Sequence, residues 1–135
     1  MRGSFLLTIF GRILFPFMMI FAFYLIANGD LSPGGGFQGG AILATAYLMT
    51  HFTRSRRMDH LPFLMLYEKL LLMFLIFFVI LGGITGVGLF KNAWPEDFSI
   101  GVRRTFYVVM NFLIALEVFV GLSGVVAAFI KEEQL

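Results

Sequence analysis

The sequence predicts an all-α integral membrane protein with about four transmembrane helices and a glycine-rich break between the first and second. Three observations carry that expectation. The chain of 135 residues is 59% hydrophobic and only 13% charged, against about 25% charged in soluble domains. Its apolar residues gather into four runs separated by short polar links. A chain this short folding in water leaves a large share of its surface exposed, so it cannot hide this much apolar side chain, including 18 Phe, without lipid around it. The mean hydropathy of +0.91 agrees. The length leaves room for one domain, a single membrane domain over 1–135.

The first run, Phe5 to Ala27, has Arg12 as its only charge and is long enough to cross the hydrocarbon core. Arg12 stands near the start, from where it can snorkel to the headgroups. Pro16 removes one helical donor, so a kink is expected there. The run is too long for a signal-peptide apolar region and is followed by Asn28-Gly29-Asp30 rather than a small-residue cleavage site, so it reads as a retained span. The second run, Phe37 to Phe52, is short, about 24 Å as a helix. It crosses only if its glycine-rich start already lies inside the membrane.

The third helix is expected over 62–90. Pro62 suits a first turn, with Asp59 or His60 near the cap, and the uncharged stretch Leu70 to Phe90 makes the span. Glu68 and Lys69 then sit at the interface, splayed apart because they are adjacent. The fourth run, Thr105 to Ile130, contains one charge, Glu117. Trp94 and Tyr107 suit an interfacial belt.

Four spans place both termini and the Thr53–His60 link on one side, with Arg2, Arg12, Arg54, Arg56, Arg57, Lys69 and Lys131; the other side holds Lys91, Arg103 and Arg104. The positive-inside rule therefore puts both termini in the cytoplasm of a multi-pass cell-membrane protein. The Arg54-Ser55-Arg56-Arg57 run is an anchor near anionic lipid. A net charge of +2 gives no reason to expect nucleic acid. The absence of Cys excludes disulfides, thiolate metal sites and iron–sulfur clusters. His51 and His60 lack metal-ligand spacing, and neither a metal site nor a resident cofactor is expected. No nucleophile–base pair points to an enzyme.

The most informative stretch is Asn28-Gly29-Asp30-Leu31-Ser32-Pro33-Gly34-Gly35-Gly36-Phe37-Gln38-Gly39-Gly40-Ala41. Pro33 and Gly34 to Gly36 suit a sharp turn, and Gly39 and Gly40 let another backbone come close. The helix that follows starts with free N–H groups and a positive dipole end. Broken helix ends at membrane depth are tolerated where they are buried in protein or line a cavity, and they recur at transporter sites. The alternative is a flexible external loop followed by a Gly-packed helix. The stretch is no phosphate loop, because Phe37 and Gln38 stand where the lysine would be needed.

Glu117 occupies the middle of the fourth run. A charge there is costly, so its carboxyl is expected to be protonated, paired, or turned to water or protein. At about 100° per residue, Met110, Leu113, Ile114, Gly121 and Gly124 share its face, and the two glycines permit close approach of another helix. Glu117 is either a proton or sodium relay or a structural hydrogen-bonding group. Asn111 faces the other way and is expected to make an interhelical hydrogen bond. Gly82 and Gly86 form a GxxxG packing face in the third span.

Pro33-Gly34-Gly35-Gly36-Phe37, followed by Gly39-Gly40 and preceded by Gly29-Asp30, with an apolar helix on each side, resembles the MnhB/MrpB family. These are small hydrophobic subunits of multisubunit Mrp-type sodium/proton antiporters, and similar domains occur in membrane-bound hydrogenase complexes. Length, span number and phenylalanine content agree with the resemblance. It implies an accessory subunit that helps form or gate an ion path at subunit interfaces, with sodium and protons as the transported ions. Pro33, Gly34, Gly35, Gly36 and Phe37 would then be the sensitive positions. It also implies partners: hetero-oligomers of about seven kinds of subunit, held together in lipid by close packing. Two alternatives stay open. One is a structural subunit of the membrane arm of a hydrogenase-like redox complex, without ion contact. The other is a homo-oligomeric channel, disfavoured by the scarcity of polar residues to line a pore.

Overall fold

The computed structural model describes residues 5–31, 33–54, 61–84 and 100–132. They form four helices: α1 (Phe5–Ala27), α2 (Gly35–Arg54), α3 (Leu61–Ile84) and α4 (Ile100–Glu132). No strand occurs among the described residues. The chain is an all-α membrane protein. α1, α3 and α4 are each long and apolar enough to cross a bilayer, the apolar stretches being Thr8–Ala27, Phe63–Leu81 and Ile100–Glu132. α2 has 20 residues, about 30 Å of helix, but its glycines, threonines, Gln38 and His51 leave it less apolar.

α2 makes up for that by its position. It lies between α1 and α4, while α3, among the described residues, packs on α4 alone. Its glycines and alanines are what the neighbours touch: Gly35, Gly36, Gly39, Gly40, Ala44 and Ala46 are all buried. Small residues at the interface are how helices associate in lipid, where dispersion contacts rather than water exclusion hold them. Two of its threonines satisfy their hydroxyls within the helix, Thr45 Oγ1 donating to the Ala41 carbonyl at 2.8 Å and Thr50 Oγ1 to that of Tyr47 at 2.7 Å. The remaining core is equally small in scale, with Ala22, Leu25 and Ile26 from α1 and Ala115, Val120, Ser123 and Ala127 from α4.

Three contacts fix the helix directions. Gly36 meets Asn111, Gly40 meets Ala115 and Val118, and the Tyr47 ring meets Phe119 edge to face at 5.6 Å. Both chains advance together, so α2 and α4 run parallel. Gly39 meets Ala22 and Ile26, and Gly29 meets Gly35, which makes α1 and α2 an antiparallel hairpin.

Helix limits differ from the expected spans in instructive ways. α1 matches 5–27 and continues as one helix past Pro16. α2 begins at Gly35, two residues before the apolar run. α4 begins at Ile100, five residues before its run, and its 33 residues make about 50 Å of helix, longer than the roughly 30 Å hydrocarbon core. Arg103 and Arg104 lie on that extra length. Residues 85–90 of the expected third span, together with Gly86, Asp59, His60, Arg56, Arg57, Lys91 and Trp94, fall outside the described residues.

Candidate functional site

The α1–α2 link is closed by local bonds. α1 ends where the backbone N–H and the side-chain Nδ2 of Asn28 both donate to the Tyr24 carbonyl, at 3.0 and 2.9 Å. The Leu31 N–H then bonds the Asn28 carbonyl at 3.0 Å, turning the chain back. Gly34 has φ +112°, a value that side chains with a Cβ rarely adopt, and the Gln38 side chain lies over the face a Cβ would occupy. The Gln38 N–H donates to the Gly34 carbonyl at 3.2 Å and starts the helical ladder.

A helix start normally leaves its first N–H groups without partners inside the helix. Here the partner comes from another helix: the Gly36 N–H donates to Asn111 Oδ1 of α4 at 3.3 Å. Asn111 therefore does for α2, across the helix interface, what an N-cap residue does in sequence. This geometry needs a bare backbone at Gly36. A Cβ there would collide with the Asn111 carbonyl oxygen and stand 3.0 Å from its Cα. One turn on, a Cβ at Gly40 would stand 2.9 Å from Ala115 Cα and from Val118 Cβ. At the same end of the bundle Arg104 Nε pairs with Asp30 Oδ2 at 3.5 Å. Arg104 is half exposed, so the pair contributes about 0–1 kcal/mol and acts chiefly to set register between the link and α4.

The expected interhelical bond of Asn111 is thus made, and its partner is the glycine stretch itself. Asn111→Ala leaves the Gly36 N–H bare among packed helices, and a loss of about 1 kcal/mol is expected from interhelical bonds in lipid. Denaturation of the purified protein in mixed micelles measures it. Asn111→Asp, which keeps the acceptor, should lose less.

Of the residues singled out in the sequence, Pro33 and Gly34 form the exposed turn, and Gly35 and Gly36 are buried against α4. Phe37 points away from the bundle and is 64% exposed. Gly39 seats Ala22 and Ile26, and Gly40 seats Ala115 and Val118. Gly121 and Gly124 have no described atom within 4 Å of where a Cβ would be, so none of the described helices closes on them. The immediate surroundings of Gly82 lie outside the described residues.

Glu117 is not part of the glycine site. It lies six residues beyond Asn111 on α4, about 9 Å along the axis. α4 also packs on α3, which carries Glu68, a like charge felt at Glu117. Glu68 is half-buried. The two stand at nearly equal distances along the chain from the α3–α4 connection, as an antiparallel pair of helices requires. Glu117 is itself half-buried, yet its Oε2 is fully enclosed with no hydrogen-bond partner among the described residues. Ser123 Oγ is in the same condition. No group of three metal-ligating side chains occurs among the described residues.

Fold and site together define a class: a small helical membrane protein with a less apolar helix whose glycine start is capped by another helix, and a glutamate in its longest helix whose Oε2 has no hydrogen-bond partner among the described residues. The particular family follows from comparison. The family described as "Domain related to MnhB subunit of Na+/H+ antiporter" matches residues 6–124, and the chain belongs to it. The match takes in the glycine break, Asn111 and both carboxyls. That family membership implies partner subunits. No curated protein matches the chain, and neither does any solved structure.

Proposed function

We propose that the chain is an accessory subunit of a multisubunit cation/proton antiporter in the cell membrane, exchanging sodium for protons, with both termini in the cytoplasm. The observation that carries the reading is the family match across 6–124, joined to a carboxyl oxygen of α4 without a hydrogen-bond partner among the described residues. In this account all four helices cross, α2 shielded by α1 and α4. Glu117, with Glu68 beside it, is the group that changes charge as a proton or sodium ion passes at a subunit interface. The segment Pro33 to Phe37 sets the geometry: Gly34, Gly35 and Gly36 hold the turn against Asn111, and the exposed Phe37 ring meets a neighbouring subunit. The open backbone at Gly121 and Gly124 and the GxxxG face of Gly82 and Gly86 serve further subunit contacts.

One observation favours a second reading. Asn111 occupies the Gly36 N–H, so part of the positive end of α2 is engaged in packing. That suits a bracing subunit, of an antiporter or of a redox complex, that touches no ion. The test is sodium-dependent proton movement by the assembled complex carrying Phe37→Ala or Glu117→Gln. Loss of transport with normal assembly for Glu117→Gln supports the ion role. Normal assembly with unchanged transport for both variants establishes the bracing role.

A further inference from the structure

α1 and α4 diverge just below the α1–α2 link, leaving a groove of about 380 Å³. Ile26 forms its floor, 3% exposed. Phe23 and Ala27 of α1 form one wall, and Val108, Val109 and Phe112 of α4 the other. The lining is apolar side chain throughout. Directly above it, one helical turn back along α4 on the same face as Val108, stands Arg104. Its Nε is turned to Asp30, but the side chain is 55% exposed, and a guanidinium carries five N–H donors. Arg103 immediately precedes it in the chain. A cation at the helix end with an apolar slot running from it toward the middle of the bundle matches one kind of molecule, with an anionic head and a hydrocarbon tail.

We propose that this groove is a binding site for an anionic phospholipid, its acyl chain lying along Ile26 between α1 and α4 and its phosphate held by the outer face of the Arg104 guanidinium. A basic side chain beside an anionic headgroup contributes about 1 kcal/mol, whichever leaflet holds the lipid. A hydrocarbon chain is thin enough to lie along the apolar lining between Phe23 of α1 and Phe112 of α4. Asp30 has a defined part: it holds Arg104 over the groove by one nitrogen and leaves the rest of the fork for phosphate. The proposal rests only on lipid surrounding these helices, not on the antiporter reading.

The test is native mass spectrometry of the full chain, purified in mild detergent with the subunits that copurify, after addition of phosphatidylglycerol or phosphatidylcholine with matched acyl chains. The wild-type protein is expected to retain phosphatidylglycerol with about fivefold preference, as one basic side chain at an anionic headgroup provides. Arg104→Gln should abolish the preference. Asp30→Asn, which breaks the ion pair but keeps the cation, should preserve or raise it. Ala27→Phe, which fills the groove, should remove the retained lipid whatever its headgroup, with helicity unchanged by circular dichroism. If Ala27→Phe does not fold, the two charge variants still decide the matter. Equal retention of the two lipids by the wild-type protein overturns the proposal. So does equal loss of preference in Asp30→Asn and Arg104→Gln, which would trace the effect to the ion pair. So does cross-linking of a cysteine at Val109, in a chain that has no other cysteine, to a partner subunit.

Discussion

Replacing Gly36 by alanine is expected to separate α2 from α4 and to prevent the protein from accumulating in folded form. The added Cβ meets backbone, not a flexible side chain: the Asn111 carbonyl oxygen and, at 3.0 Å, its Cα. Neither atom can move without shifting α4 as a whole. The substitution also breaks the bond from the Gly36 N–H to Asn111 Oδ1. Overpacking in a tight interior costs about 1–3 kcal/mol and occasionally more, and the stranded N–H adds about 1–3 kcal/mol. Against the roughly 5–15 kcal/mol that holds a typical protein folded, this is a large fraction. Recovery in mild detergent and the denaturation midpoint measure it. Gly121→Ala, at a glycine with nothing within 4 Å of its Cβ, is the matching control and should leave the isolated fold unchanged. A reduced yield of assembled complex from that variant would place a neighbouring subunit at Gly121.

Glu117→Gln is expected to lower sodium-dependent proton movement by about a hundredfold, the lower end of what a positioned proton-transfer group contributes, while the fold is retained. Glutamine keeps the size of the side chain and removes only its ability to ionise. Because Glu117 Oε2 has no hydrogen-bond partner among the described residues, no described bond to that oxygen is broken by the exchange. Glu68→Gln should have a smaller effect in the same assay. It removes the like charge acting on Glu117 and so alters how readily Glu117 ionises without abolishing its titration. If Glu68→Gln proves the more damaging of the two, Glu68 is the group that exchanges the ion and Glu117 its modulator.

The sequence was informative where lipid imposes a strict requirement. Apolar runs long enough to cross mark α1, α3 and α4, since a span needs a minimum length of unbroken hydrocarbon-compatible residues. A polar amide in such a run must find a partner, and Asn111 does so. Other features depended on how one helix slides against another, which no periodicity within a helix contains. That Asn111 would choose Gly36, that Arg104 would meet Asp30, and that Glu68 would face Glu117 all follow from register between helices. The apolar run of the second span begins at Phe37, but close packing against α4 and the bond from Asn111 carry the helix back to Gly35. The early start of α4 was hidden for a different reason. Its first residues, including Arg103 and Arg104, are too polar for a span yet continue the same helix.

The family of this chain and the Glu117 carboxyl in α4 make a joint claim, that cation/proton exchange depends on this subunit. The direct measurement is sodium-dependent proton movement in everted membrane vesicles from cells lacking the chain, compared with cells in which it is restored. Exchange should vanish without the chain, return with the wild-type protein and fail to return with Glu117→Gln at equal abundance. Full exchange in vesicles devoid of the chain would contradict the account.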